Sequence, residues 1–138
     1  MIINMIKGDA WNSPYKHIAF AVCTEGDNKS GYAGYVASHY WKALAKTGEK
    51  KLGETMSYEF GDRILHALVC FSFTEDGWNK TPEALTKCFD SLNVPEDEPI
   101  AFFLMGVSKT SQKRGSDIFN NLGGIARSRK SVTVYALI

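Results

Sequence analysis

Three stretches of this chain, residues 17–23, 63–73 and 100–107, are almost continuously apolar over the length of a strand. A strand with no polar side leaves neither of its faces to water, so both must be covered by other elements. Between these runs, apolar residues return at helical spacing. Val36, Tyr40 and Leu44, with Ala37 and Trp41 beside them, predict a helix over residues 33–46. Thr81 as N-cap with Pro82 at the first helical position predicts another, reaching about residue 92. The alternation of the two patterns predicts an α/β domain of three layers, α/β/α, with helices on both faces of a mixed central sheet.

The remaining segments complete that pattern. Residues 1–5 read as a first strand, 54–60 as an alternating strand joined to the next by a Gly61-Asp62 turn, and 131–137 as a last strand. Residues 108–115 form a polar loop carrying Lys109, Lys113 and Arg114, after which Ser116 or Asp117 caps a helix ending near residue 126. A length of 138 residues fits one domain, 1–138, with 44% hydrophobic and 22% charged residues as in ordinary globular proteins.

A net charge of +1 gives no electrostatic basis for general binding of nucleic acid or an anionic membrane. Cys23, Cys70 and Cys88 form no C-x-x-C pair and are odd in number, so reduced, buried thiols and a cytoplasmic location are the expectation. His17, His39 and His66 lack metal-ligand spacing and suit structural or surface roles, and neither a metal nor a cofactor is called for. No signal-peptide pattern is visible and no apolar run approaches the length of a membrane span.

In open α/β sheets, ligands gather outside the carboxyl ends of the strands, which singles out loops 8–12, 24–34, 73–80 and 106–117. The first holds Gly8-Asp9-Ala10 directly after a strand-like run. An ionised carboxylate only accepts hydrogen bonds, so Asp9 suits an exocyclic amine or ring N–H, and it equally suits the cap of a turn. Gly31-Tyr32-Ala33-Gly34 lies between a strand and a helix, where glycines let backbone N–H groups approach a phosphate or diphosphate, or simply make a tight turn. Neither the Gly-x-Gly-x-x-Gly of a dinucleotide fold nor the Lys-Ser/Thr of a P-loop is present.

Taken in order, Ile6-Lys7-Gly8-Asp9-Ala10, the strand 18–23, Thr24-Glu25, Gly31–Gly34, Gly53-Glu54, the strand 64–71, Lys80-Thr81-Pro82 and the closing Thr133-Val134-Tyr135-Ala136-Leu137 resemble a macro domain. The similarity covers nearly the whole chain. Its flavour is that of the terminal ADP-ribose protein glycohydrolase branch and of the similar ADP-ribose-1″-phosphate phosphatases. The resemblance implies a cleft that binds ADP-ribose or an ADP-ribosylated protein, with Gly8, Asp9 and Ala10 at the adenine and Asp9 accepting from its amino group. It also implies Gly31, Tyr32, Ala33 and Gly34 at the diphosphate and distal ribose, and Met105, Gly106 and Ser108 in a second phosphate loop. Thr24 stands where that branch has a hydroxyl beside the ribose, although the same hydroxyl suits a turn cap. The bulky Tyr32 or Tyr35 departs from the family's small residues, and the second loop is longer, more basic and poorer in glycine. Its Lys109, Lys113 and Arg114 suit either phosphate contact or a solvated surface.

The glycohydrolase branch attacks the distal ribose with a lysine, but the matching stretch Phe71-Ser72-Phe73-Thr74-Glu75 has none. Asp117 matches the family's assisting aspartate and is equally an ordinary N-cap. Two readings remain on this side: binding without turnover, or hydrolysis of an ADP-ribosyl ester or ADP-ribose-1″-phosphate through water activated by Asp117 or Glu25. A different class also stands, a protein-interaction module with a vestigial cleft whose loop aromatics Tyr32, Tyr35 and Trp78 anchor a partner.

Overall fold

The strand His17–Cys23 (β2) lies in the middle of a six-stranded sheet, between β4 (Arg63–Phe71) and β5 (Ile100–Phe103). The computed structural model describes residues 2–25, 28, 31–72, 79–104 and 112–136. The full sheet order is β1-β6-β5-β2-β4-β3, with β1 at Ile2–Lys7, β3 at Thr55–Phe60 and β6 at Ser131–Ala136. Every neighbouring pair is parallel except β3 and β4, which form an antiparallel hairpin at one edge. This is the mixed sheet that the sequence predicts.

Successive residues of β2 enter different cores, as the pleat of a strand requires. Ile18, Phe20 and Val22 pack with Val36 and Ala37 of helix α1 (Gly31–His39) and with Leu44. Ala19 packs into the opposite layer, with Leu85, Cys88 and Phe89 of α2 (Thr81–Ser91), Ile118 of α3 (Gln112–Asn120) and Leu122 of the short α4 (Leu122–Ile125). Ile18, Ala19 and Phe20 are all fully buried, which is why the run shows no polar side.

Several boundaries differ from expectation. The helix expected over 33–46 begins at Gly31, ends at His39, and is followed by a separate 3-10 turn, Lys42–Ala45. Both Tyr40 and Trp41 donate their N–H to the Val36 carbonyl, at 2.9 and 2.8 Å, which closes the helix. Trp41 is then buried, stacked on Tyr58 of β3. Thr81 is the first residue of α2 rather than its cap, and Lys80 precedes it. β5 ends at Phe103, short of the expected residue 107. Ser116 and Asp117 lie inside α3, which starts at Gln112, so neither is an N-cap.

The Gly61-Asp62 turn is observed, and a positive φ of 63° at Gly61 alone fits the type II′ geometry that joins strands of right-handed twist. The three cysteines are buried free thiols. Burial pushes the Cys88 thiol up to about 12.

At the amino ends of β2 and β4, four side chains form one hydrogen-bonded row. Ser57 Oγ lies 2.8 Å from His66 Nδ1, His66 Nε2 lies 2.9 Å from His17 Nδ1, and His17 Nε2 lies 3.2 Å from Glu98 Oε1. The buried Arg129 donates beside it to the carbonyls of Val94, Pro95 and Glu98. Burial holds His66 down at about 4, helped by His17 and Arg129. Burial lowers His17 as well, with Lys16 and Arg129 adding to the effect and Glu98 opposing it.

Unfolding releases both imidazoles to the ordinary value of 6.5. Below that pH the unfolded chain therefore binds protons that the native one does not, and stability falls until His66 itself titrates near 4. Urea unfolding at pH 7.5 and pH 4.5 is expected to show a loss reaching about 3 kcal/mol from His66. A His66→Gln variant should show a flatter pH dependence, and an equally steep one would exclude His66 as the cause.

Candidate functional site

At the carboxyl end of β1, Gly8 takes a φ of 146°, a region that side-chain-bearing residues rarely adopt. No atom lies within 4 Å of where a Cβ would stand, so the backbone conformation, not space, calls for glycine. The turn delivers Asp9 to the start of a 3-10 turn, Ala10–Asn12, where its Oδ1 accepts the Trp11 N–H at 2.9 Å. The capping role is thus real. A second donor reaches the same oxygen: the Tyr32 hydroxyl, at 2.9 Å.

The Tyr32 ring lies flat on Phe103 at the end of β5, with centroids 3.9 Å apart and planes 7° apart, and meets Phe20 edge-on. Burial raises the Tyr32 phenol far above its ordinary value, and the Asp9 charge raises it further, so it remains a protonated donor. Ala10 is fully buried beneath the pair. The ends of β1 and β5 and the first turn of α1 thereby meet around one half-buried carboxylate. Among the described residues no bond reaches its second oxygen, Oδ2.

Gly31, Tyr32, Ala33 and Gly34 form the first turn of α1 rather than a free loop. Ala33 and Gly34 are buried, and Ala33 belongs to the core shared with β2 and Leu44. The opening turn still carries backbone N–H groups with no acceptor inside the helix. Thr24 and Glu25 follow β2 directly. Thr24 is tied by its N–H to the Phe71 carbonyl at 3.0 Å and by its carbonyl to the Lys50 N–H at 2.9 Å. Its hydroxyl donates to Glu25 Oε2 at 3.0 Å.

Asp117 is placed elsewhere. It is exposed on α3, lining an open groove with Glu83 and Thr86 of α2 and with Asn121 and Ile125. These helices cover the sheet face opposite α1, so Asp117 does not join Asp9 and Tyr32. Met105, Gly106, Ser108, Lys109 and Trp78 lie outside the described residues, while Lys113 and Arg114 fall in the first turn of α3. Among the described residues, no group of three or more His, Cys, Asp or Glu could hold a metal ion.

Sequence reasoning missed the partnership of Tyr32 with Asp9 and the platform supplied by Phe103. The available signal was a large aromatic at a position where small residues were expected. Also missed was an aromatic row beyond Tyr32. Tyr35, exposed, bonds through its hydroxyl to that of Tyr40 at 3.3 Å, and Tyr40 stacks on Trp11 at 3.7 Å. Arg63 lies over the Trp11 ring and donates to the carbonyls of Trp11 and Ser13.

Tyr32→Phe keeps the ring on Phe103 and removes one hydrogen bond to a carboxylate, so thermal or urea unfolding should show a loss of about 1 kcal/mol. Tyr35→Phe, at the surface, should cost less, and equal losses would refute a special role for the Asp9 contact. Gly8→Ala forces a side chain into the positive-φ turn and should destabilise by about 1 kcal/mol or more in the same assay.

No protein-family model matches the sequence, and no curated protein matches it either. Solved structures do. The macrodomain of Thermus aquaticus DarG superposes with a TM-score of 0.70 at 14% identity, covering 99% of this chain and 98% of that one. The macrodomain of Mycobacterium tuberculosis DarG gives 0.65 at 14% identity, with 96% and 97% covered. A macrodomain protein from Streptomyces coelicolor gives 0.64 at 15%, with the same coverage. The chain has the macrodomain fold.

Proposed function

We propose that the protein binds ADP-ribose, free or attached to a protein, or a related NAD-derived nucleotide, at the carboxyl ends of its strands. The observation that carries this is the Asp9 carboxylate. Trp11 N–H and Tyr32 hydroxyl both hold Oδ1 at 2.9 Å, which orients the group and leaves Oδ2 for an incoming donor. The adenine amino group is such a donor. Orienting the acceptor before the ligand arrives reduces the ordering cost of binding. The N–H groups opening α1 supply the partial positive charge that suits the diphosphate. The macrodomain fold supports binding of ADP-ribose in general.

Binding without turnover is the favoured reading. Hydrolysis of an ADP-ribosyl ester or of ADP-ribose-1″-phosphate is the second, and the contact of Thr24 with Glu25 supports it by positioning a carboxylate that could activate water just beyond β2. Asp117, in its groove across the sheet, is not assigned to that chemistry.

Calorimetric titration with ADP-ribose should show saturable binding. Asp9→Ala should weaken it at least about tenfold, equivalent to about 1.4 kcal/mol. Unchanged affinity would refute the adenine contact. No heat and no thermal shift at millimolar ADP-ribose would overturn the nucleotide site altogether, and would leave the exposed aromatics Tyr35, Tyr58 and Phe60 as the basis for a protein-interaction module. Release of ADP-ribose from modified protein, lost in Glu25→Gln and kept in Asp117→Ala, would establish turnover.

A further inference from the structure

The row from Ser57 to Glu98 lies at the amino ends of the parallel strands, opposite the proposed nucleotide cleft, and its proton positions follow from its ends. The Glu98 carboxylate only accepts, so His17 Nε2, at 3.2 Å, carries a proton. In neutral His17, Nδ1 is then the acceptor and receives the proton on His66 Nε2 at 2.9 Å. That leaves His66 Nδ1 as acceptor for the Ser57 hydroxyl at 2.8 Å. Each donor meets one acceptor, all in one direction. His17 and His66 are buried, 4% and 2% exposed, whereas Ser57 is exposed on the edge strand β3. Burial, which disfavours imidazolium in both rings, supports the neutral arrangement.

The geometry points to Ser57 as a base-activated nucleophile for small acyl electrophiles, with His66 as its base and His17 and Glu98 as the proton acceptors behind it. The hairpin explains the approach. A two-residue loop closes on a hydrogen-bonded pair, here Phe60 and Arg63, and alternation makes Ser57 and His66 a non-hydrogen-bonded pair whose side chains stand close. The N–H of Ser57 then points away from β4, towards the outer edge of β3, where it suits a developing oxyanion.

In the reaction with an ester, Ser57 Oγ bonds to the carbonyl carbon and the π pair moves to the carbonyl oxygen. The Oγ proton passes to His66 Nδ1, the Nε2 proton of His66 to His17 Nδ1, and the Nε2 proton of His17 to Glu98. Collapse expels the alkoxide, which takes a proton returned along the same row and leaves as alcohol. Water then attacks acyl-Ser57 by the same transfers, so that ester and water become acid and alcohol.

The test uses the whole chain with a fluorophosphonate, which loses fluoride on bonding to Oγ, and with p-nitrophenyl acetate. One equivalent of phosphonyl adduct is expected, located at Ser57 by peptide mass spectrometry and absent from Ser57→Ala. Because Glu98 is part-exposed, Glu98→Gln should fold, and its loss of charge should slow labelling and ester cleavage at least tenfold. No adduct, an adduct on another residue, or a rate that Glu98→Gln leaves unchanged in protein with a native thermal transition would overturn the proposal. Failure here leaves the ADP-ribose titration unaffected.

Discussion

Everything else in this molecule depends on covering β2 from both sides. Ile18 and Phe20 need one helical layer and Ala19 needs another, and burying a single large apolar side chain contributes about 1.5–3 kcal/mol. Two layers over a mostly parallel sheet require crossover connections, and these return each chain segment to the same end of the sheet. The carboxyl ends of β1, β2 and β5 are therefore brought together with the start of α1 as a consequence of burial. The candidate site stands where those connections begin.

At that edge the fold depends on one small junction. Asp9 would cap its own turn in any context, because Trp11 lies only two residues away. The Tyr32 bond is different, since it spans 23 residues and ties β1 to α1. The Phe103 ring supplies the flat surface that sets where the phenol lies. A buried hydroxyl without an acceptor would be costly, and a half-buried carboxylate gains from a second donor, so each group stabilises the other's placement.

Much of the fold was legible in the sequence, because hydrophobic period reports burial directly. The runs at 17–23 and 63–73, of which the second forms β4 over Arg63–Phe71, the Gly61-Asp62 hairpin and the helix after Lys80 lie where pattern and turn chemistry place them. Boundaries were harder wherever packing overrode local preference. The apolar residues at 33–46 continue a helical period, yet Trp41 turns in to meet Tyr58 and closes α1 early. Gly31–Gly34 reads as a loop because glycines favour turns, whereas it is already the first turn of α1, with Ala33 and Gly34 buried. Asp117 looks like a cap because Asp commonly is one, but α3 is already under way before it.

By itself the sequence determined the layered α/β class, the reduced buried thiols, and a carboxylate at the end of the first strand, all properties set by local pattern and residue chemistry. Only the tertiary structure decided what that carboxylate meets. It also joined Ser57, His66, His17 and Glu98 into a row, although His17 and His66 read one at a time as ordinary structural or surface residues. Such contacts join positions 9 to 81 residues apart, and strand order and register, which no local pattern encodes, bring them within hydrogen-bonding reach.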